Sequence, residues 1–102
     1  MSTFHGARLW YDRTTHAEYG TFQRPFAFKP QDTQGLQVTF GAWLDDMAAA
    51  GLPVTDLATG GTYTAKAGEH GAGRAIDIDA MKFADGRVLR CRADGVQSNA
   101  KA

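Results

Sequence analysis

The sequence predicts an α+β domain: a small antiparallel sheet packed against one main amphipathic helix, with an aromatic-rich N-terminal arm. Three observations carry this expectation. One helical apolar stripe lies mid-chain, and β-forming segments separated by glycine turns follow it. Seven of the eleven aromatic residues fall in the first 31 positions without a helical period. At 102 residues, 43% hydrophobic and 22% charged, the chain has the size and composition of one globular domain. Residues 1–31 read as an irregular arm, 32–92 as the helix-and-sheet core, and 93–102 as a tail with no apolar content to bury.

In the arm, Phe22, Arg24, Phe26 and Phe28 alternate as one face of a strand does, while Pro25 and Pro30 confine the segment to a sheet edge or an extended arm. Its aromatics read as packing residues, with a sugar- or partner-binding surface as the alternative. The helix is predicted within 34–51, where Leu36, Phe40, Trp43, Leu44 and Met47 share one stripe. Asp32 or Thr33 caps its start. Gly51 suits the left-handed position after the last turn, Leu52 folds back toward Met47, and Pro53 prevents continuation. Residues 53–57 then read as a short strand, and Thr59, Gly60 and Gly61 as a turn into the β-prone residues 62–64. Residues 74–83 read as the central strand, with a two-residue turn at Asp85 and Gly86 leading to a return strand over 87–92.

Eleven Lys and Arg balance eleven Asp and Glu, so the chain lacks the positive excess that tracks phosphate backbones, and nucleic acid is not an expected partner. No apolar run approaches the roughly 20 residues that span a bilayer, and the first residues lack the apolar centre of a secretory signal. Membrane insertion and self-export are therefore not expected. Cys91 is the sole cysteine, which leaves burial, or a bound metal, to stabilise the fold.

The chemistry concentrates in GEHGAGRAIDIDAM. His70 stands on a glycine-rich loop and Asp77 on the segment that follows, and the freedom of Gly71 and Gly73 lets the loop return so that the two side chains meet. An imidazole nitrogen and a carboxylate oxygen are ordinary zinc ligands, and a mixed site suits catalysis. The pattern H-x-x-G-x-A-x-D, formed by His70, Gly73, Ala75 and Asp77, resembles the zinc motif of the D-alanyl-D-alanine carboxypeptidase superfamily. Within it, the extensin-like C-terminal branch is most similar, its motif positions occupied here by Gly61, Thr62, Tyr63, Ala65, Lys66, Glu69, Ile78, Asp85 and Gly86 as well, over about residues 36–87.

That resemblance implies zinc as cofactor and hydrolysis of peptidoglycan stem peptides by metal-activated water. It implies His70 and Asp77 as metal ligands, with Tyr63 and Lys66 on the substrate side. Where the family has Cys and Arg, this chain has Ala65 and Lys66, so a single ammonium replaces a bidentate grip on a substrate carboxylate; Gly68 stands where a Ser is usual. The family's third ligand is a C-terminal His with an acidic base before it, yet residues 78–102 contain neither His nor Glu. His5 or His16 completes the site if the arm folds across the strands; a partner chain or further downstream sequence is the alternative. Glu69 and Asp79 are the candidate catalytic acids.

Each has a plainer reading. Glu69 adjoins His70, and neighbouring residues generally point apart. The two-residue turn sets Arg92 opposite Asp79 as a cross-strand ion pair, and Cys91 opposite Ala80 as a core thiol. Asp45 and Asp46 belong to the exposed face of the helix. Rival functional expectations are a catalytically degenerate cell-wall-binding or structural module of a phage or secretion assembly, or the front part of a longer enzyme. Without a signal, action is expected in the periplasm or at the cell wall after lysis or injection.

Overall fold

The computed structural model describes residues 2–12, 21–65 and 68–90. Among them the chain runs β1 (Arg8–Tyr11), β2 (Arg24–Pro25), α1 (Gln34–Ala49), β3 (Val54–Thr59), β4 (Ala80–Phe83) and β5 (Val88–Arg90), a five-stranded sheet with one helix. The class is α+β, as the sequence predicts.

Helix α1 begins and ends for local reasons. Thr33 is its N-cap, its Oγ1 accepting the Leu36 N–H at 3.1 Å. At the other end Gly51 adopts φ +85° and donates to the Ala48 carbonyl, while the Leu52 N–H reaches the Met47 carbonyl at 2.9 Å, the double closure that only a left-handed residue permits without strain. The predicted stripe faces inward: Phe40 and Leu44 are buried, and Trp43 and Met47 pack on the same core. Phe4 stacks on Phe40 with ring centroids 5.7 Å apart, and Phe28 meets both edge-on or tilted, so the arm's aromatics close the core as expected.

The sheet order is β2-β1-β3-β4-β5. It is mixed where an antiparallel sheet was predicted, because β1 pairs parallel with β3 while every other pair is antiparallel. Parallel neighbours need a crossover of about a dozen residues or more, and α1 lies in that connection. β3 is therefore the central strand, and its Leu57, Ala58 and Thr59 have no exposed surface. Pro25, which lacks an N–H, sits on edge strand β2, in keeping with the sequence.

The expected central strand over 74–83 is shorter than predicted. Only residues 80–83 form β4, and the pairing continues toward the site as an isolated Gly61–Asp77 bridge in the same register. Residues 62–64 form no strand, since their backbone groups bond to Asp32, Lys29 and the His70 loop. The turn between β4 and β5 also differs from expectation. Gly86 N donates to Phe83 O, Phe83 N donates to Arg87 O, and Gly86 has φ +93°, giving a three-residue connection with a glycine bulge. Ala80 consequently faces Arg90, a one-residue slip from the predicted register, which removes the basis for pairing Asp79 with Arg92 or Cys91 with Ala80. Cys91 and Arg92 themselves lie outside the described residues.

One ion pair is built into the parallel register. Arg8 and Asp56 are direct partners, and the buried Asp56 carboxylate accepts Arg8 Nη2 and Trp10 Nε1, each at 2.9 Å. Burial pushes the Asp56 carboxyl up, but hydrogen bonds from Arg8, Trp10 and Thr55 and the Arg8 charge together hold it below the ordinary carboxylate value.

Asp56→Asn is expected to cost about 1–3 kcal/mol near neutrality, read as a lower urea midpoint. Because the folded carboxyl titrates below its unfolded counterpart, its contribution is complete above the unfolded value of about 4 and is lost as pH falls through the folded value. The gap between wild type and variant should hold from about pH 7 to 5 and close in stronger acid; a gap indifferent to acid refutes the assignment.

Candidate functional site

The site begins where β3 ends. Thr59 Oγ1 accepts the Gly61 N–H at 2.9 Å, turning the chain just past the strand, and the Asp77 N–H donates to Gly61 O at 3.1 Å. This bridge fixes the Asp77 backbone beside the end of the central strand. Residues 68–73 then form a tight loop in which Gly73 N donates to His70 O and Arg74 N to Glu69 O, with Gly68 and Gly73 both at positive φ.

The loop is anchored to the start of α1. Thr33 N donates to Gly73 O at 2.9 Å, and a Cβ on Gly73 would collide with the Gln31 carbonyl oxygen. Thus positioned, His70 Nδ1 lies 2.6 Å from Thr62 O and its Nε2 lies 3.0 Å from Asp77 Oδ1. The sequence expectation that this imidazole and this carboxylate meet agrees with the geometry. Both face solvent, the His70 side chain being 32% and that of Asp77 52% exposed.

A backbone carbonyl only accepts, so the contact with Thr62 assigns the proton to Nδ1. The Nε2 lone pair then lies opposite a carboxylate oxygen, a gap that a proton on Nε2 or a cation between the two atoms would bridge. Histidine that ligates a metal through one nitrogen commonly donates the other N–H to a backbone carbonyl, as here. Zinc bonds of about 2.0–2.2 Å in tetrahedral geometry set neighbouring donors about 3.4 Å apart, a few tenths of an ångström wider than this pair. The two groups fit half of a zinc site.

The other predicted site residues lie elsewhere. His5 does not join the pair. It sits at φ +50° with Gly6 at +84° in a hairpin turn closed by the Phe4–Ala7 bridge, and its Nδ1 binds the Asp45 carboxylate of α1 at 3.0 Å. Its ring rests where a Cβ on Gly41 would be, so Asp45, expected to be only an exposed helix residue, serves as its partner. Among the described residues no three His, Cys, Asp or Glu side chains form a group able to hold a metal. His16 and Lys66 lie outside those residues.

Glu69 points away into a fork with Arg74, at 2.8 and 3.2 Å, and that guanidinium holds its carboxyl below the usual value. Both oxygens are engaged, which suits a loop brace better than a base. Asp79 does not share Asp77's access to solvent. It is buried at 4% exposure, its N–H donating to Ala58 O, because it lies where the chain enters the sheet. Tyr63 is half-buried, with its backbone N–H held by Asp32 and its carbonyl by Lys29 Nζ. Thr62 and Asp32 are the members of the site that sequence reasoning missed: one contributes a carbonyl, which has no residue signature, and the other was considered only as a helix cap.

No protein-family model, curated protein or solved structure matches this chain. Among the described residues no helix is long and apolar enough to cross a membrane.

Gly73→Ala should destabilise the domain by about 2–3 kcal/mol, combining positive φ with a backbone clash, whereas Gly86→Ala, with positive φ but open space around it, should cost about 1 kcal/mol. Urea denaturation of the two variants checks the ordering. Equal costs would mean that the 68–73 loop is not pressed against Gln31.

Proposed function

We propose that the chain is a zinc metallopeptidase-like domain that acts on peptidoglycan stem peptides, with His70 and Asp77 as two of its metal ligands. The observation that carries this reading is the orientation of His70: Nδ1 is committed to the Thr62 carbonyl, and Nε2 is directed at Asp77 Oδ1 on an accessible surface. The family resemblance around these residues supplies the substrate class. Bound zinc would polarise the scissile carbonyl and activate water near neutrality. His70 and Asp77 would hold the ion, Thr62 would orient the imidazole, and Tyr63 and Lys66 would border the substrate.

A second reading is favoured by specific observations. No third donor joins the pair among the described residues, Glu69 is occupied by Arg74, and Asp79 is buried. On this reading the chain keeps the scaffold without the reaction, as a wall-binding or structural module, or needs a donor from a partner chain.

Metal analysis separates the two. The enzyme reading expects near-stoichiometric zinc in the purified chain, lost in His70→Ala and weakened at least tenfold in Asp77→Asn, a range ordinary for removal of a ligand or its support. It also expects chelator-sensitive release of stem-peptide fragments or D-alanine from cell walls. A chain that holds no zinc rejects the zinc reading and supports the module, and zinc bound without release rejects the peptidase activity.

A further inference from the structure

The contacts on either side of His70 are not equivalent. A neutral imidazole has one proton for two nitrogens, and both of its neighbours here are acceptors. One is the Thr62 carbonyl at 2.6 Å and the other the Asp77 carboxylate at 3.0 Å. Asp77 is half open to water, so solvent satisfies its carboxylate when Nε2 carries no proton. The Thr62 carbonyl has no such latitude if its segment is fixed. What fixes that segment decides the tautomer.

Asp32 fixes it. This residue precedes the α1 N-cap and is 6% exposed. Its Oδ2 accepts the Thr62 hydroxyl at 2.7 Å and the Lys29 N–H at 2.7 Å, and its Oδ1 accepts the Tyr63 N–H at 3.1 Å. Thr62 is itself wholly buried. Two consecutive residues are thereby clamped through a side chain and a backbone amide, and Lys29 Nζ grips the following carbonyl of Tyr63 at 2.7 Å. One residue further, Thr64 N reaches back to His70 O. The Thr62 carbonyl is left with one direction, toward His70 Nδ1.

We infer that Asp32 is a positioning residue for His70: by clamping Thr62 and Tyr63 it holds the Thr62 carbonyl against Nδ1 and keeps the Nε2 lone pair open toward Asp77. Without the clamp the carbonyl swings away, the imidazole proton moves to Nε2 to serve Asp77, and the lone pair that would meet a cation is consumed. The tautomer arm of this inference stands on the geometry alone, and its affinity arm rests on the proposed zinc role.

The test uses the full chain in mildly alkaline solution, with long-range 15N–1H spectra of the imidazoles and titration with zinc ion alone. In wild type, His70 should be the Nδ1–H tautomer. In Asp32→Asn and in Thr62→Val, which removes the clamped hydroxyl while keeping the shape, a substantial Nε2–H fraction should appear and zinc affinity should fall at least tenfold. Thr62→Ser should restore the wild-type spectrum. Circular dichroism confirms folding, and if Asp32→Asn does not fold, Thr62→Val carries the test. A folded Thr62→Val that keeps the pure Nδ1–H tautomer overturns the inference, as does zinc affinity unchanged in that variant when wild type binds zinc. If wild type binds no zinc, the zinc reading fails by itself and the tautomer still decides the role of Asp32.

Discussion

Everything in this domain is referred to the pairing of β3 along both of its edges. On one side it takes β1 in parallel, on the other β4 antiparallel, and its central residues have no contact with water. A strand buried on both faces and bonded along both edges has little freedom to slip, because a shift of one residue would reverse every side chain. The site inherits that rigidity. The Gly61–Asp77 bridge lies three residues beyond Ala58–Ala80 in one register, so the position of Asp77 is set by the core pairing and not by its own exposed loop.

Carboxylates placed in so small an interior would be a liability unless each were hydrogen-bonded. Asp56 and Asp32 meet this condition in different ways. Asp56 accepts from Arg8, its direct partner in the parallel register, and from Trp10 two residues on, so β1 must align as it does for both donors to reach it. A one-residue slip would set Leu9 opposite Asp56 and strand a buried charge. Asp32 gathers one donor from Lys29, just before it, and two from Thr62 and Tyr63, 30 and 31 residues on, and thereby joins the start of α1 to the segment after β3. One acid specifies a strand register and the other a loop junction; each costs desolvation and returns geometric definition.

How far these features were legible depended on how local their causes are. The α1 boundaries follow from Thr33, Gly51, Leu52 and Pro53, all contiguous with the helix, and the structure places them in those roles. The β4–β5 hairpin was visible in Asp85 and Gly86, but not its register, since the same dipeptide closes a two-residue turn or, with Ala84, a three-residue one. β1 escaped notice because four residues carry almost no periodicity and its parallel partner lies 48 positions away. His70 and Asp77 could be paired from loop chemistry, seven residues apart. The parts that orient them were not accessible in that way: a carbonyl has no letter in the sequence, and Asp32 is distinguished only by neighbours that folding brings to it.

The resulting site has a property that neither residue has alone. Proton and cation compete for the same Nε2 lone pair, since Nδ1 is already engaged by Thr62 and Asp77 accepts whichever is present. Two donors give a cation little hold, whereas a proton needs only one nitrogen. A third donor would shift the balance toward the cation by adding a bond that the proton cannot use. On the proposed metal role, a further ligand would have to reach His70 and Asp77 from solvent, to which both side chains are partly open.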